Sequence, residues 1–107
     1  MISLKNLCIK CDVTRRAIQG YEKYRLLEPS SKTNRGYLLY EDSCIERVNQ
    51  IKMFQKFGFK VREIEMYIDA KPEILKEVLI LKEKELQGKK EDLEETIQQL
   101  EHLIHQL

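Results

Sequence analysis

The sequence predicts a mainly α-helical chain in two parts: a winged helix-turn-helix head over residues 1–70, with a small β-hairpin as its wing, and a long C-terminal coiled-coil dimerisation helix over residues 71–107. Three observations predict it. Two short apolar-periodic stretches, Leu4, Leu7, Cys8 and Ile9 and then Ala17, Ile18 and Tyr21, each follow a hydroxyl side chain suited to capping a helix, Ser3 and Thr14. A segment from Leu26 to Tyr40 carries turn chemistry in Pro29, Ser30, Ser31, Asn34 and Gly36 between short extended pieces. Leucine then recurs every seven residues at Leu79, Leu86, Leu93, Leu100 and Leu107, accompanied by Leu75, Ile97 and Ile104.

The first helix runs about two turns after Ser3, and Asp12 breaks it. Thr14 caps the second, whose inward face is Ala17, Ile18 and Tyr21, leaving Arg15, Arg16, Gln19 and Lys23 outward. Arginines in a first turn oppose the helix dipole, so they cost some stability, and an anionic partner explains them better than folding does. The second of two such helices is the one that enters a DNA groove. In the hairpin, Lys32, Arg35 and Tyr37 fall at or near the tip. Tyr37 either places its O–H on a phosphate or packs beneath the wing.

A third helix of about four turns follows from Ile45, Val48, Ile51, Met53, Phe54 and Phe57, with Asp42 or Ser43 as N-cap and Gly58 as stop. A fourth begins at Lys60 and turns Val61, Ile64, Tyr67 and Ile68 inward. Lys60 and Arg62 there are either phosphate contacts or ordinary solvated charges. Asp69 to Pro72 is a linker, and Pro72 suits the first turn of the last helix. That helix would be roughly 50 Å long at 1.5 Å per residue, more than the head can cover, so it needs a partner helix. Another copy of the chain is the simplest one. Gly88 and the Lys89-Lys90 pair interrupt its seam and mark either a bend or a close approach.

The formal net charge of +1 conceals an asymmetry. Residues 1–72 hold fourteen Lys or Arg against nine Asp or Glu, a net of +5, and residues 73–107 hold five against nine, a net of −4. A basic head is the footprint of a polyanion-binding protein. No apolar run is long enough to span a membrane and no secretory pattern opens the chain, so no membrane partner is expected and the expected location is cytoplasmic. Three cysteines, Cys8, Cys11 and Cys44, are expected as reduced thiols.

The run Val13-Thr-Arg-Arg-Ala-Ile-Gln-Gly-Tyr-Glu22, then Leu26-Leu-Glu-Pro29, then Asn34-Arg-Gly-Tyr-Leu-Leu-Tyr40 resembles the DNA-binding head of the MerR family of bacterial transcription regulators. The family's usual motifs are Val-Ser-x-Arg-Thr-Leu-Arg-Tyr-Tyr-Asp, Gly-Leu-Leu-x-Pro and Asn-Gly-Tyr-Arg-x-Tyr. Val13, Thr14, Arg16, Ile18, Tyr21, Glu22, Leu26, Leu27, Pro29, Gly36, Tyr37 and Tyr40 match identically or conservatively, and Phe57-Gly58-Phe59 followed by Ile64 resembles a further motif of the family. The resemblance implies a homodimer joined by an antiparallel coiled coil. It also implies a palindromic operator in double-stranded promoter DNA that is bent and untwisted on binding, and action on RNA polymerase there.

The residues read as DNA-binding are Thr14, Arg15, Arg16, Gln19, Tyr21, Lys23, Arg35, Tyr37 and Lys60. Those read as dimerising are Leu79, Leu86, Leu93, Ile97, Leu100, Ile104 and Leu107. Against the family pattern, Gln19-Gly20 replaces Arg-Tyr, Leu38 replaces an arginine, Lys60 replaces a Ser or Thr, and Arg25 replaces a glycine and implies an unusual backbone conformation. Gln19 in exchange can pair with an adenine edge. Family members usually sense their signal beyond or at the end of the coiled coil. A chain stopping at Leu107 reads as a short member without an effector domain, a fragment, or a regulator controlled by its own abundance.

Two other readings stay open: a coiled-coil adaptor whose head has lost DNA affinity, and a metal or thiol sensor using Cys8 and Cys11. The Cys8-x-x-Cys11 spacing suits a metal, but a closed site needs about four ligands, and His102 and His105 lie near the far terminus. No metal, cofactor or enzyme activity is expected. The sequence holds no Gly-rich phosphate loop and no Gly-x-Ser-x-Gly.

Overall fold

Adjacent residues at the start of the chain have opposite roles. Ile2 and Ser3 form a short strand, β1 (Ile2–Ser3), while the Ser3 hydroxyl accepts the Asn6 N–H at 3.2 Å and starts α1 (Leu4–Cys11). The computed structural model describes residues 1–107, and continues with α2 (Arg15–Lys23), β2 (Ser31–Lys32), β3 (Leu38–Tyr40), α3 (Ser43–Lys56), α4 (Val61–Tyr67) and α5 (Pro72–Gln106). The chain forms two compact units, Met1–Asp69 and Ala70–Leu107. The wing is a three-stranded antiparallel sheet in the order β1-β3-β2, pairing Ile2 with Tyr40 and Lys32 with Leu38. The hairpin was expected; β1 was not, because two residues are too few to show an alternating pattern.

Three helices of the head end the same way. After α1, α2 and α3 a single residue takes a left-handed conformation: Asp12 (φ 52°), Arg25 (φ 59°) and Gly58 (φ 101°). In each case the following N–H reaches back to the fifth carbonyl before it, Val13 to Cys8, Leu26 to Tyr21 and Phe59 to Phe54, at 2.9 to 3.1 Å. This is the Schellman exit, which satisfies carbonyls that a helix end otherwise leaves unpaired. Arg25 bears out the unusual backbone expected at that position.

The core lies around α3, with Leu7, Ile18, Tyr40, Val48, Ile51 and Ile64 wholly buried. Each such aliphatic side chain contributes roughly 1.5–3 kcal/mol by leaving water. Phe54 packs tilted against Phe59, and Phe59 edge-on against Tyr67, with ring centroids 5.7 and 6.4 Å apart, which joins α3 to α4. Two α3 cations brace the helix-turn-helix. Lys52 Nζ donates to the carbonyls of Cys11 (2.5 Å) and Asp12 (3.4 Å) after α1, and Arg47 Nε donates to that of Leu26 (2.8 Å) after α2.

The second unit is α5, 35 residues opened by Pro72 and unbroken through Gly88. A Cβ added to Gly88 would meet nothing within 4 Å. Glu85 is held by Lys82 at 2.8 Å and Lys89 at 3.4 Å, which keeps its carboxyl below the usual range. None of the helix's side chains is buried in the single chain. No helix of the protein is long and apolar enough to cross a membrane.

Candidate nucleic-acid interface

The interface starts from the cap of α2. Thr14 is in an extended conformation and its Oγ1 accepts the Ala17 N–H at 3.0 Å, which fixes where the helix begins. At 100° per residue, Arg15, Arg16, Gln19 and Lys23 fall within an arc of about 100°, opposite the arc of Ala17, Ile18 and Tyr21. All four are exposed. A single face of α2 therefore carries three cations and an amide, all free to reach outward.

Tyr21 is not on that face. It is 3% exposed, and its hydroxyl donates to Gln55 Oε1 at 2.8 Å, with burial pushing the phenol above its ordinary pKa. The physical reason is periodicity: Tyr21 lies three residues after Ile18, on the core side of the helix. Its place is to pin α2 to α3. A second tyrosine does similar work, since the Tyr40 hydroxyl donates to the Glu22 carboxylate, and burial followed by that bond pushes its phenol far up. α2 is thus clamped by two buried phenols that sequence reasoning did not assign to clamping.

At the wing tip Gly36 N–H bonds to the Thr33 carbonyl at 2.9 Å and Thr33 N–H to the Tyr37 carbonyl at 2.8 Å, with Gly36 at φ 84°. This is a three-residue hairpin loop whose last position needs glycine. It puts Asn34 and Arg35 at the apex. Tyr37 is 65% exposed, so its ring is not packed beneath the wing. Lys32 and Arg35 are exposed beside it.

Lys60 and Arg62, at the start of α4, share an open groove with Tyr24, Val61 and Glu63. This brings Lys60 next to the residue that follows Lys23, so α4 extends the cationic surface past the end of α2. Glu63 accepts the Lys60 backbone N–H at 3.0 Å, one half of a capping box; the half that a Ser or Thr at position 60 would supply is missing. Tyr24 was not singled out in the sequence; only its position directly after Lys23 pointed to it. Gly20 has open space around it, so its departure from the family motif leaves a gap and not a close fit.

The cysteines are free thiols. Cys11 is buried, its Sγ 3.6 Å from the Ile45 carbonyl, and burial pushes its pKa up, with Lys52 opposing. Burial also raises Cys44. No three His, Cys, Asp or Glu side chains converge where they could hold a metal ion. The residues read as dimerising follow one another along α5 from Leu79 to Ile104, with Leu107 just past its end, and all but half-buried Leu79 are exposed.

Residues 2–71 match the domain described as MerR HTH family regulatory protein. The chain belongs to the MerR family. It is 34% identical over 93 residues to the HTH-type transcriptional activator mta of Bacillus subtilis, covering 86% of this chain and 36% of that protein. It is 32% identical over 93 residues to the mercuric resistance operon regulatory protein of Bacillus cereus, covering 81% of this chain and 70% of that protein. Among solved structures it superposes on the N-terminal part of MtaN, the Bacillus subtilis multidrug transporter activator, with TM-score 0.80 at 31% identity, covering 97% of this chain and 98% of that one. A MerR-family regulator from Bacillus cereus gives TM-score 0.77 at 25% identity, covering 94% of this chain and 78% of that one. The chain spans only 36% of the length of mta, which is described as a transcriptional activator. The head and long terminal helix of this chain have the MtaN-like winged helix-turn-helix fold.

Proposed function

We propose that the chain is a homodimeric, sequence-specific transcription regulator that binds a palindromic operator in promoter DNA. The observation that carries this reading is the α2 surface: Arg15, Arg16, Gln19 and Lys23 on one exposed face, clamped from behind by Tyr21 and Ile18. Gln19 and Arg16 read base edges in the major groove. Arg15, Lys23, Lys60, Arg35 and Tyr37 hold phosphates on either side, and Thr14 sets where the helix end enters.

Dimerisation is supported by the heptads of α5. With the leucines from Leu79 to Leu107 at one core position, the other core position falls on Lys76, Glu83, Lys90, Ile97 and Ile104. A parallel pair would set the first three against their own copies, like charge on like charge within the seam. An antiparallel pair sets them against leucines, whose surface the lysine stems can cover. Two heads on one two-fold axis then read two half-sites, and contacts at both ends offset the energy of bending and untwisting the DNA between them. The effect on transcription would follow from the altered promoter geometry presented to RNA polymerase.

The test is selection of bound sequences from random duplex DNA, wild type beside Arg16→Ala. One palindrome should be enriched by the wild type, and Arg16→Ala should bind it about 10- to 100-fold more weakly, the worth of one good base contact. A wild-type dimer that enriches no sequence at moderate salt would refute the reading and favour the protein-adaptor alternative.

A further inference from the structure

Tyr40 and Glu22 belong to the two elements of the head that carry most of the candidate DNA contacts. Tyr40 is the last residue of β3, the central strand of the wing, and Glu22 lies in the last turn of α2. The Tyr40 hydroxyl donates to a Glu22 carboxylate oxygen, so the wing is bonded directly to α2. Tyr40 is wholly buried and Glu22 half-buried. A carboxylate drawn away from water is costly unless something donates to it, and a hydrogen bond to an ionised acceptor is roughly twice as strong as a neutral one. Each group therefore holds the other in place.

The bond also sets which flank of α2 the wing occupies. Glu22 falls about 20° from Arg15, two turns earlier on the helix, and so borders the exposed face on the side of Arg15 and Gln19. Lys60 and Arg62 lie elsewhere, beside Tyr24 just past the end of α2. The wing itself is sparsely anchored. β1 and β2 are two residues each, and the loop that carries Arg35 and Tyr37 lies beyond the last paired residues, Lys32 and Leu38. The angle of so short a hairpin is set at its root, where Tyr40 pairs with Ile2 and bonds to Glu22.

We infer that the Tyr40–Glu22 bond positions the wing on α2, so that Arg35 and Tyr37 meet phosphates in step with the base contacts of Arg16 and Gln19. This rests on the DNA-binding reading above. Glu22 and Tyr40 touch no DNA in this scheme; they are positioning residues that act through the wing. With the bond intact, docking α2 aligns the wing at no further ordering cost. With the bond lost, the wing must be ordered as it binds, and its contacts are worth less.

The experiment measures the affinity of the full chain for the selected palindrome over a series of salt concentrations. In otherwise wild-type protein, Arg35→Ala should weaken binding about tenfold or more, the worth of a hydrogen bond to a charged group. It should also lower the slope of log affinity against log salt by about two, one phosphate for each wing of a dimer. Tyr40→Phe keeps the ring and loses the donor, and Glu22→Ala loses the acceptor at a site that water reaches. Each should lower the salt slope about as far as Arg35→Ala does, and in either background Arg35→Ala should cost only about twofold more, as for residues acting through one contact. Lys60→Ala, at the start of α4, should keep its full effect in both backgrounds. Glu22→Gln retains a carbonyl oxygen for the phenol and should restore the dependence on Arg35.

A variant that is only less stable binds more weakly at every salt concentration alike, with the wild-type slope and the full cost of Arg35→Ala. That result in both Tyr40→Phe and Glu22→Ala would overturn the inference and leave the DNA-binding reading intact. So would a wild type indifferent to Arg35→Ala, because the wing would then grip nothing. A wild type that enriches no sequence from random DNA would overturn both.

Discussion

The head and the last helix of this chain are held together in opposite ways. All thirteen buried apolar side chains, from Ile2 to Ile64, lie in the head, and α5 has none. The head closes its core within about seventy residues and braces its helix exits with Lys52 and Arg47. α5 has 35 helical residues supported within one chain by local ion pairs such as Lys82–Glu85, which water screens. Isolated helices draw little stability from propensity alone. The head closes a core within one chain, whereas the leucines of α5 are left uncovered in it.

The sharpest way to break this comparison is to truncate one apolar residue in each part. Ile51→Ala, at a site with no exposure, should lower head stability by about 2–5 kcal/mol in urea unfolding, regardless of protein concentration. Leu93→Ala, at a site 63% exposed in the single chain, should leave the head's midpoint unchanged and instead weaken self-association measured by sedimentation. An equal shift of the head's midpoint by both would erase the distinction.

A smaller effect is expected at Gly88. The position is helical, open, and two residues past Leu86 in the heptad, which points it away from the seam. Gly88→Ala should stabilise α5 by up to about 1 kcal/mol, seen as a higher thermal midpoint of the tail's helical signal. A loss of self-association instead would identify Gly88 as a point of close approach between copies.

The smallest effect is electrostatic. The hydrogen bond from Arg47 holds the Asp69 carboxyl below the usual carboxylate range. A lowered folded pKa adds stability that is fully present above the unfolded value, near 3.9 on average, and is lost as pH falls through the folded one. The stability difference between wild type and Asp69→Asn should therefore be constant from neutral pH to about pH 5 and shrink in stronger acid. Because the carboxylate is largely exposed to water, the whole difference should stay below about 1 kcal/mol. A difference that grows on acidification would contradict the pairing.

The parts legible in the sequence were those carried by neighbours along the chain. Ser3 and Thr14 cap helices through bonds spanning three residues, and the opposition of Arg16 and Lys23 to Ile18 follows from helical period alone. Gly36 and Gly58 announced left-handed turns by residue type, and Arg25 did so through its place in a motif. Arg47 and Lys52 were illegible, since their acceptors lie 21 to 41 positions away and a cation in an amphipathic helix ordinarily faces solvent. Tyr21 stood with both the inward face and the DNA-binding set. Its 2.8 Å bond to Gln55, 34 residues away, places it on the inward side.

By itself, then, the amino-acid order determined which segments are helical, where they start and stop, and which face of α2 is cationic, because caps, turns and periodicity act over a few residues. Only the tertiary structure decided that β1 completes the wing, that two phenols clamp α2, that Tyr24 and Lys60 share a groove, and that Arg47 joins Leu26 to Asp69. Those contacts depend on segments meeting in space after the core around α3 has closed, and no local pattern records which distant partner a buried hydroxyl or guanidinium will find.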